Sequence, residues 1–138
     1  MAKLHTSVVI PTRNRADDLR RCLDSVLSQE SPPDEILVVD NGSSDGTSEL
    51  LAQYPVRTLS SPDVSLSHVF NLCWTCSRGD IVVFLNDDAE VGPSWLRSLL
   101  GTLQSWPAAA AAGGPTIAMR EQEMERTYRV AMQSPCLR

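Results

Sequence analysis

Ile81-Val82-Val83-Phe84-Leu85-Asn86-Asp87-Asp88 is the stretch whose reading decides the fold. Its first five residues are uninterruptedly apolar and mostly β-branched or aromatic, and the run stops at a polar turn. A short apolar run bounded in this way predicts a buried strand of a parallel sheet. The same grammar appears twice upstream, in Ser7-Val8-Val9-Ile10 ended by Pro11 and in Ile36-Leu37-Val38-Val39 stopped by Asp40-Asn41-Gly42. A shorter strand is expected near Val56 to Leu59.

Between these runs the apolar spacing becomes helical. Asp17 and Asp18 open a segment with apolar residues at Leu19, Cys22, Leu23, Val26 and Leu27, and Pro32-Pro33 end it. Acids at its start suit the positive end of a helix. Ser43 to Thr47 supply turn and capping residues before a helix at about Ser48 to Gln53. Further helices are expected from about Ser67 to Ser77 and from Pro93-Ser94 through Trp95, Leu96, Leu99, Leu100, Leu103 and Trp106. Beyond Pro107 the pattern is open: Ala108 to Ala112 suits a small-residue strand or a helix, and Gly113-Gly114-Pro115 breaks either. Glu121 to Arg138 reads as a mixed-charge tail, partly helical.

Strands alternating with amphipathic helices imply an α/β fold with a mostly parallel sheet flanked by helices and joined by right-handed crossovers. A chain of 138 residues is expected to form one domain, with residues 4–106 as its core and 107–138 as a tail or the start of another region. The net charge of -5 and the lack of a basic stripe exclude an electrostatic nucleic-acid binder. The apolar run after Met1-Ala2-Lys3-Leu4-His5-Thr6 is too brief for a signal-peptide core, and no stretch is long enough to span a bilayer. The expected location is therefore cytoplasmic, with any membrane association made through partners.

Cys22, Cys73, Cys76 and Cys136 are the cysteines, and Cys73 and Cys76 form a CxxC. A structural zinc site needs a second ligand pair at similar spacing, so reduced thiols turned toward a helix-packed core are the simpler expectation. His5 and His68 have no partner spacing that marks a metal site or a catalytic dyad. Trp74, Trp95 and Trp106 fall on helix faces and are read as core or interface residues.

In parallel sheets the ligand crevice lies outside the carboxyl ends of the strands. Three polar clusters fall at such ends: Pro11 to Arg15, Asp40 to Asp45, and Asn86 to Asp88. Adjacent carboxylates at Asp87 and Asp88 repel each other and any diphosphate unless a cation lies between them. Hard oxygen ligands select magnesium or manganese, with phosphate oxygens and water completing the shell. The alternative is an Asn-Asp-Asp turn that caps a strand and faces water. Asp40 has the same two readings, a nucleobase or ribose acceptor, or a turn residue ahead of Gly42. Pro11-Thr12-Arg13-Asn14-Arg15 has no glycine for close approach to a pyrophosphate, and no Walker A sequence is present. Arg13 and Arg15 are then either the phosphate-binding side chains or two solvated arginines.

Taken together, the blocks 7–15, 36–47 (Ile36-Leu37-Val38-Val39-Asp40-Asn41-Gly42-Ser43-Ser44-Asp45-Gly46-Thr47) and 79–89 resemble, in order and spacing, the signature blocks of family two glycosyltransferases of the GT-A, Rossmann-like fold. The resemblance covers roughly the first hundred residues. It implies an inverting, metal-dependent transfer of a sugar from a nucleoside-diphosphate sugar, most often a UDP-sugar, to a carbohydrate, lipid or protein hydroxyl. On the residues that match, it implies nucleotide-sugar contacts at Pro11, Thr12, Arg13, Arg15, Asp40, Asn86 and Asp87, with Mn2+ or Mg2+ on Asp88.

The departures from the family pattern are specific. Arg13 stands where an aromatic often stacks on the base, Asn86 where the acidic motif often begins with Asp, and Phe70 where an arginine is usual. No second acidic motif follows Gly113-Gly114-Pro115, because Glu121, Glu123 and Glu125 read as surface charges. The catalytic base is therefore unassigned, and the chain is expected to end before the acceptor site is complete. A catalytically silent binding or interaction domain is the runner-up. A nucleotidyltransferase is a third reading, weakened by the missing glycine-rich loop. An exposed edge of the shortened sheet is expected to promote a homodimer.

Overall fold

The structure, a computed structural model, describes residues 4–62 and 64–115. The elements follow in the order β1 (Thr6–Thr12), α1 (Ala16–Leu27), β2 (Glu35–Asn41), α2 (Thr47–Leu51), β3 (Arg57–Ser61), α3 (Leu66–Cys76), β4 (Ile81–Phe84) and α4 (Trp95–Ser105). The strands form one sheet in the order β3-β2-β1-β4, every pair parallel. The expected α/β architecture is therefore present.

Chain contacts divide the molecule into two compact units, Met1–Arg97 and Ser98–Arg138. In the first, the two central strands are buried on both faces, and alternation along them sorts their residues between two cores. Val8, Ile10, Ile36 and Val38 pack with Leu19, Cys22, Leu23 and Val26 of α1 and with Leu50 and Leu51 of α2. Val9, Leu37 and Val39 face the other way and pack with Val69 and Cys73 of α3. This two-sided cover explains why β1 and β2 read as continuous apolar runs.

The strongest apolar run behaves differently. β4 pairs with β1 and lies at the end of the sheet among the described residues. Its residues are only partly buried, and Phe84 is 43% exposed. Apolarity had predicted a buried strand; position in the sheet order decided otherwise.

At the amino ends of the strands, a polar seam replaces apolar packing. Glu35 accepts hydrogen bonds from the Ser7 hydroxyl, from Arg57 Nη1 at 2.9 Å and from the Arg78 backbone N–H at 2.8 Å. Burial pushes the Glu35 carboxyl up, but the donors from Ser7, Arg78 and Arg57 outweigh it and hold the pKa below its usual value. Gly79 closes the seam, with its N–H donating to Ser7 Oγ at 2.8 Å. A Cβ there would stand 2.6 Å from Ser7 N, so the close approach requires glycine.

The second unit begins within α4, at Ser98, and includes the alanine run. Ala108 to Ala112 forms neither the strand nor the helix that the sequence left open. Pro107 removes a donor on one side, glycines and Pro115 follow on the other, and five residues are too few to offset helix nucleation. The expected tail helix from Glu121 to Arg138 lies outside the described residues. Among the described residues, no helix is long and apolar enough to cross a membrane.

Candidate functional site

The chain builds outward from β1 to β2 to β3, then returns to place β4 on the other side of β1. This reversal puts a switch point at the carboxyl ends of β1 and β4, the usual position for a ligand in an open α/β sheet. β1 delivers Thr12 there, in register with Asp40 of β2. Beyond β4, the Leu85 N–H still donates to Val9 O at 3.0 Å, and the Ala89 N–H closes a turn onto Asn86 O at 3.2 Å. The acidic pair is thereby carried to Thr12.

Thr12 Oγ1 donates to Asp87 Oδ2 at 2.8 Å, across 75 residues of sequence. Arg15 Nη1 stands 2.7 Å from Asp88 Oδ2 and 3.7 Å from Asp87 Oδ1. The two carboxylates differ sharply in setting: the Asp87 side chain is 11% exposed and that of Asp88 is 50% exposed. Burial pushes the Asp87 carboxyl above its usual pKa, with Asp88 adding to the rise while Thr12, Arg15 and the Arg13 N–H oppose it. Hydrogen bonding to Asp88, with the charges of both acids, raises the Arg15 pKa. The Arg15 guanidinium thus lies against both acids.

The second loop is held to the first through Asn14, Ser43, Ser44 and Asp45. Asn14 adopts a left-handed backbone, φ 52°. Its N–H donates to Ser43 Oγ at 2.9 Å, and its Oδ1 accepts the Ser44 N–H at 2.7 Å. Asp45 accepts the Thr47 N–H at 3.0 Å, at the start of α2, and the Ala16 N–H at 3.2 Å, at the start of α1. One acid thus satisfies donors at two helix starts, which compensates for Arg15 capping α1 with no side-chain bond of its own. The available signals were asparagine's tolerance of positive φ and the Asp-x-Thr spacing. Neither shows that the bonds cross between loops.

The remaining candidates fall around this centre. Pro11 is buried at the end of β1, whereas Arg13 and Asn86 are exposed on the rim. Asp40 is 4% exposed and accepts the Ser43 N–H at 3.1 Å, so the turn role is realised, with Gly42 at φ 70° completing the turn. Phe70, standing where the family usually has arginine, packs against Phe84 with ring centroids 5.6 Å apart.

The cysteines behave as small apolar residues. Cys22 donates its thiol to Asn86 O at 3.4 Å, and burial, with Asp87, Asp88 and Glu90 adding, pushes it up to about 12. Burial likewise raises Cys73 to about 11. Cys22, Cys73 and Cys76 are free thiols, and Cys136 lies outside the described residues. Trp74 is 63% exposed, which removes it from the core to which the sequence had assigned it as one option. Its helix, α3, buries only Val69 and Cys73, so Trp74 falls off the packed face.

A cleft of about 370 Å³ lies at the opposite, amino ends of the strands, lined in part by His5, Asp34, Glu35, Arg57 and Arg78. Its central acid is already satisfied by the seam around Glu35, whereas the carboxyl-end rim gathers the reactive groups. The rim is the better site on chemical grounds.

Comparison with known proteins identifies the family and the fold. The family described as Glycosyl transferase family 2 matches residues 7–136. Glycosyltransferase AglE of Haloferax volcanii is 35% identical over 105 residues, covering 70% of this chain and 34% of AglE. Mannosyltransferase PcManGT from Pyrobaculum calidifontis, solved with GDP-Man and Mn2+, superposes with TM-score 0.64 at 25% identity over 93% of this chain and 39% of that one. Glucosyl-3-phosphoglycerate synthase from Mycobacterium tuberculosis, solved with Mn2+, UDP and glucosyl-3-phosphoglycerate, gives TM-score 0.63 at 26% identity over 72% of this chain and 39% of that one. The chain spans about a third of the length of AglE. With a parallel sheet in the order β3-β2-β1-β4, an acidic pair at its switch point and this match, the chain is the N-terminal part of a GT-A fold and belongs to glycosyl transferase family 2.

Proposed function

We propose that residues 4–106 form the nucleotide-sugar-binding core of an inverting, metal-dependent glycosyltransferase. The observation that carries the reading is the convergence of Thr12, Arg15, Asp87 and Asp88 at the switch point of the sheet. Relatives solved with UDP or GDP-Man support a nucleoside-diphosphate sugar as donor.

In this reading Pro11, Thr12, Arg13 and Asp40 line the nucleoside side of the crevice. Asn86 and Asp87 face ribose and sugar, Asp88 holds Mn2+ or Mg2+, and Arg15 meets the diphosphate. Among the described residues no three His, Cys, Asp or Glu side chains gather as a metal cluster, and the carboxylate that would hold such an ion is Asp88. Hard cations of this kind take one or two acids and draw the rest of their shell from phosphate and water. When bound, the ion supplies Lewis-acid stabilisation of the leaving diphosphate. The chain's own contribution is to orient the donor through Thr12 and Asp87 and to present the anomeric carbon to an acceptor hydroxyl. A carboxylate base for that hydroxyl is unassigned among the described residues, and Glu121, Glu123 and Glu125 lie outside them.

Titration calorimetry with UDP and GDP, with and without Mn2+, tests this reading. We expect binding that requires the metal and is abolished in Asp88→Ala. No binding of either nucleotide under any condition would instead support the runner-up, a catalytically silent GT-A-like interaction domain.

Homodimer formation is part of the same proposal. Among the described residues β4 is bonded only on its β1 side and ends the sheet, beside a partly exposed Phe84. Unpaired strand edges recruit further strands. Light scattering is expected to report a dimer, and a monodisperse monomer at high concentration counts against it.

A further inference from the structure

Arg15 pairs with the carboxylate that the donor-site reading assigns to a divalent cation. Its Nη1 is 2.7 Å from Asp88 Oδ2, and the same nitrogen is 3.7 Å from Asp87 Oδ1. A metal ion bound to either oxygen of the same carboxylate, at about 2 Å from that oxygen, would lie within a few ångströms of the guanidinium. Two cations held that close on one carboxylate repel each other, so they compete for its charge.

The two halves of the acidic pair are built for different roles in such an exchange. Asp87 is buried, fixed by the Thr12 hydroxyl and by the Arg13 backbone N–H, and has little freedom to turn. Asp88 and Arg15 are each about half exposed, with side-chain exposures of 50% and 49%. An ion pair this open to water is weak and readily exchanged. Arg15 also has a second destination of the right chemistry. It sits immediately before α1, whose start is the positive end of the helix dipole, on a long side chain with planar paired donors suited to phosphate oxygens.

We infer that Arg15 is an internal counter-cation: it neutralises Asp88 in the free protein, competes with the divalent ion for that carboxylate, and transfers to the diphosphate when ion and nucleotide enter together. The inference rests on the donor-site reading and adds a regulatory consequence to it. Metal alone must displace Arg15 without compensation. Metal with nucleotide gives the displaced guanidinium a new partner, so each ligand strengthens the other, and by linkage the coupling is reciprocal. The site then discriminates against free metal ions and responds to the metal-nucleotide pair.

The test is Mn2+ binding alone, followed by electron paramagnetic resonance of the free ion, and then repeated with UDP present. The proteins compared are the wild type, Arg15→Ala and Arg21→Ala. Arg21 is a control for net charge, because it pairs with Asp18 and Glu90 rather than with the acidic pair. Arg15→Ala is expected to bind Mn2+ alone about fivefold more tightly than wild type, with Arg21→Ala close to wild type. The strengthening of Mn2+ binding by UDP should shrink in Arg15→Ala by at least the same factor. Equal Mn2+ affinity in Arg15→Ala and wild type overturns the inference while leaving the donor site intact. Equal tightening in Arg15→Ala and Arg21→Ala overturns it too, by showing a general charge effect. Failure of every protein to bind Mn2+, with or without UDP, removes the donor-site reading itself and this inference with it. A melting curve for each variant confirms that it is folded, and the exposed Arg15 pair makes a folding defect unexpected.

Discussion

Asp87→Asn is expected to lower metal-dependent nucleotide affinity by about 100-fold while changing stability by less than about 1 kcal/mol. The separation follows from what the carboxylate does in the folded chain. Its Oδ2 accepts the Thr12 hydroxyl at 2.8 Å, and an amide oxygen can accept the same bond. Its charge is costly where it sits, since burial raises the pKa. A carboxyl whose folded pKa lies above its unfolded value disfavours folding while ionised, and that penalty fades as pH falls through the folded pKa. Removing the charge therefore relieves a burial penalty and offsets the loss of one good acceptor. Binding receives no such compensation. Hydrogen bonds to a charged group contribute about 1.5–3 kcal/mol each, and one near the top of that range corresponds to about 100-fold in affinity. Calorimetric titration with UDP and Mn2+, beside a thermal melt, measures both effects. Undiminished metal-dependent binding in this variant would remove Asp87 from the site.

Leu37→Ala is the second large expected effect, and it acts on the fold alone. Leu37 is fully buried in central β2, on the face shared with Val9, Val39, Val69 and Cys73. Truncation removes apolar contact and leaves a cavity, which costs about 3 kcal/mol at such sites. That is a large fraction of the 5–15 kcal/mol that stabilises a typical domain. The melting temperature should fall by more than about 10 °C for a chain of this size. Leu66→Ala is the internal comparison: Leu66 is 62% exposed, and its loss should change stability by no more than about 0.5 kcal/mol. Urea unfolding with an unchanged slope distinguishes a stability change from an altered unfolded state. A loss below about 1 kcal/mol for Leu37→Ala would contradict the two-sided core described for β2.

These two residues mark the division between local and long-range information. The sequence alone determined where β1, β2 and β4 lie to within a residue or two, because apolar runs are local signals, although β1 runs through Pro11 to Thr12 and β2 through Asp40 to Asn41, past the residues expected to end them. It also determined that three polar loops follow three strands, and hence that they lie at one end of a parallel sheet. The resemblance to family two glycosyltransferases rested on those same blocks.

Only the tertiary structure decided which loops touch and through which atoms. Nothing near Asp88 in sequence indicates that Arg15, 73 residues away, neutralises it. Nothing local to Asn14 shows that it clasps Ser43 and Ser44. The same holds for burial: the most apolar strand, β4, is at the sheet's end and partly exposed, while Thr6, Ser7 and Thr12 of β1 are buried. The physical reason is that strand order sets burial and loop contact. That order comes from pairing between segments far apart along the chain, which a residue's neighbours do not encode.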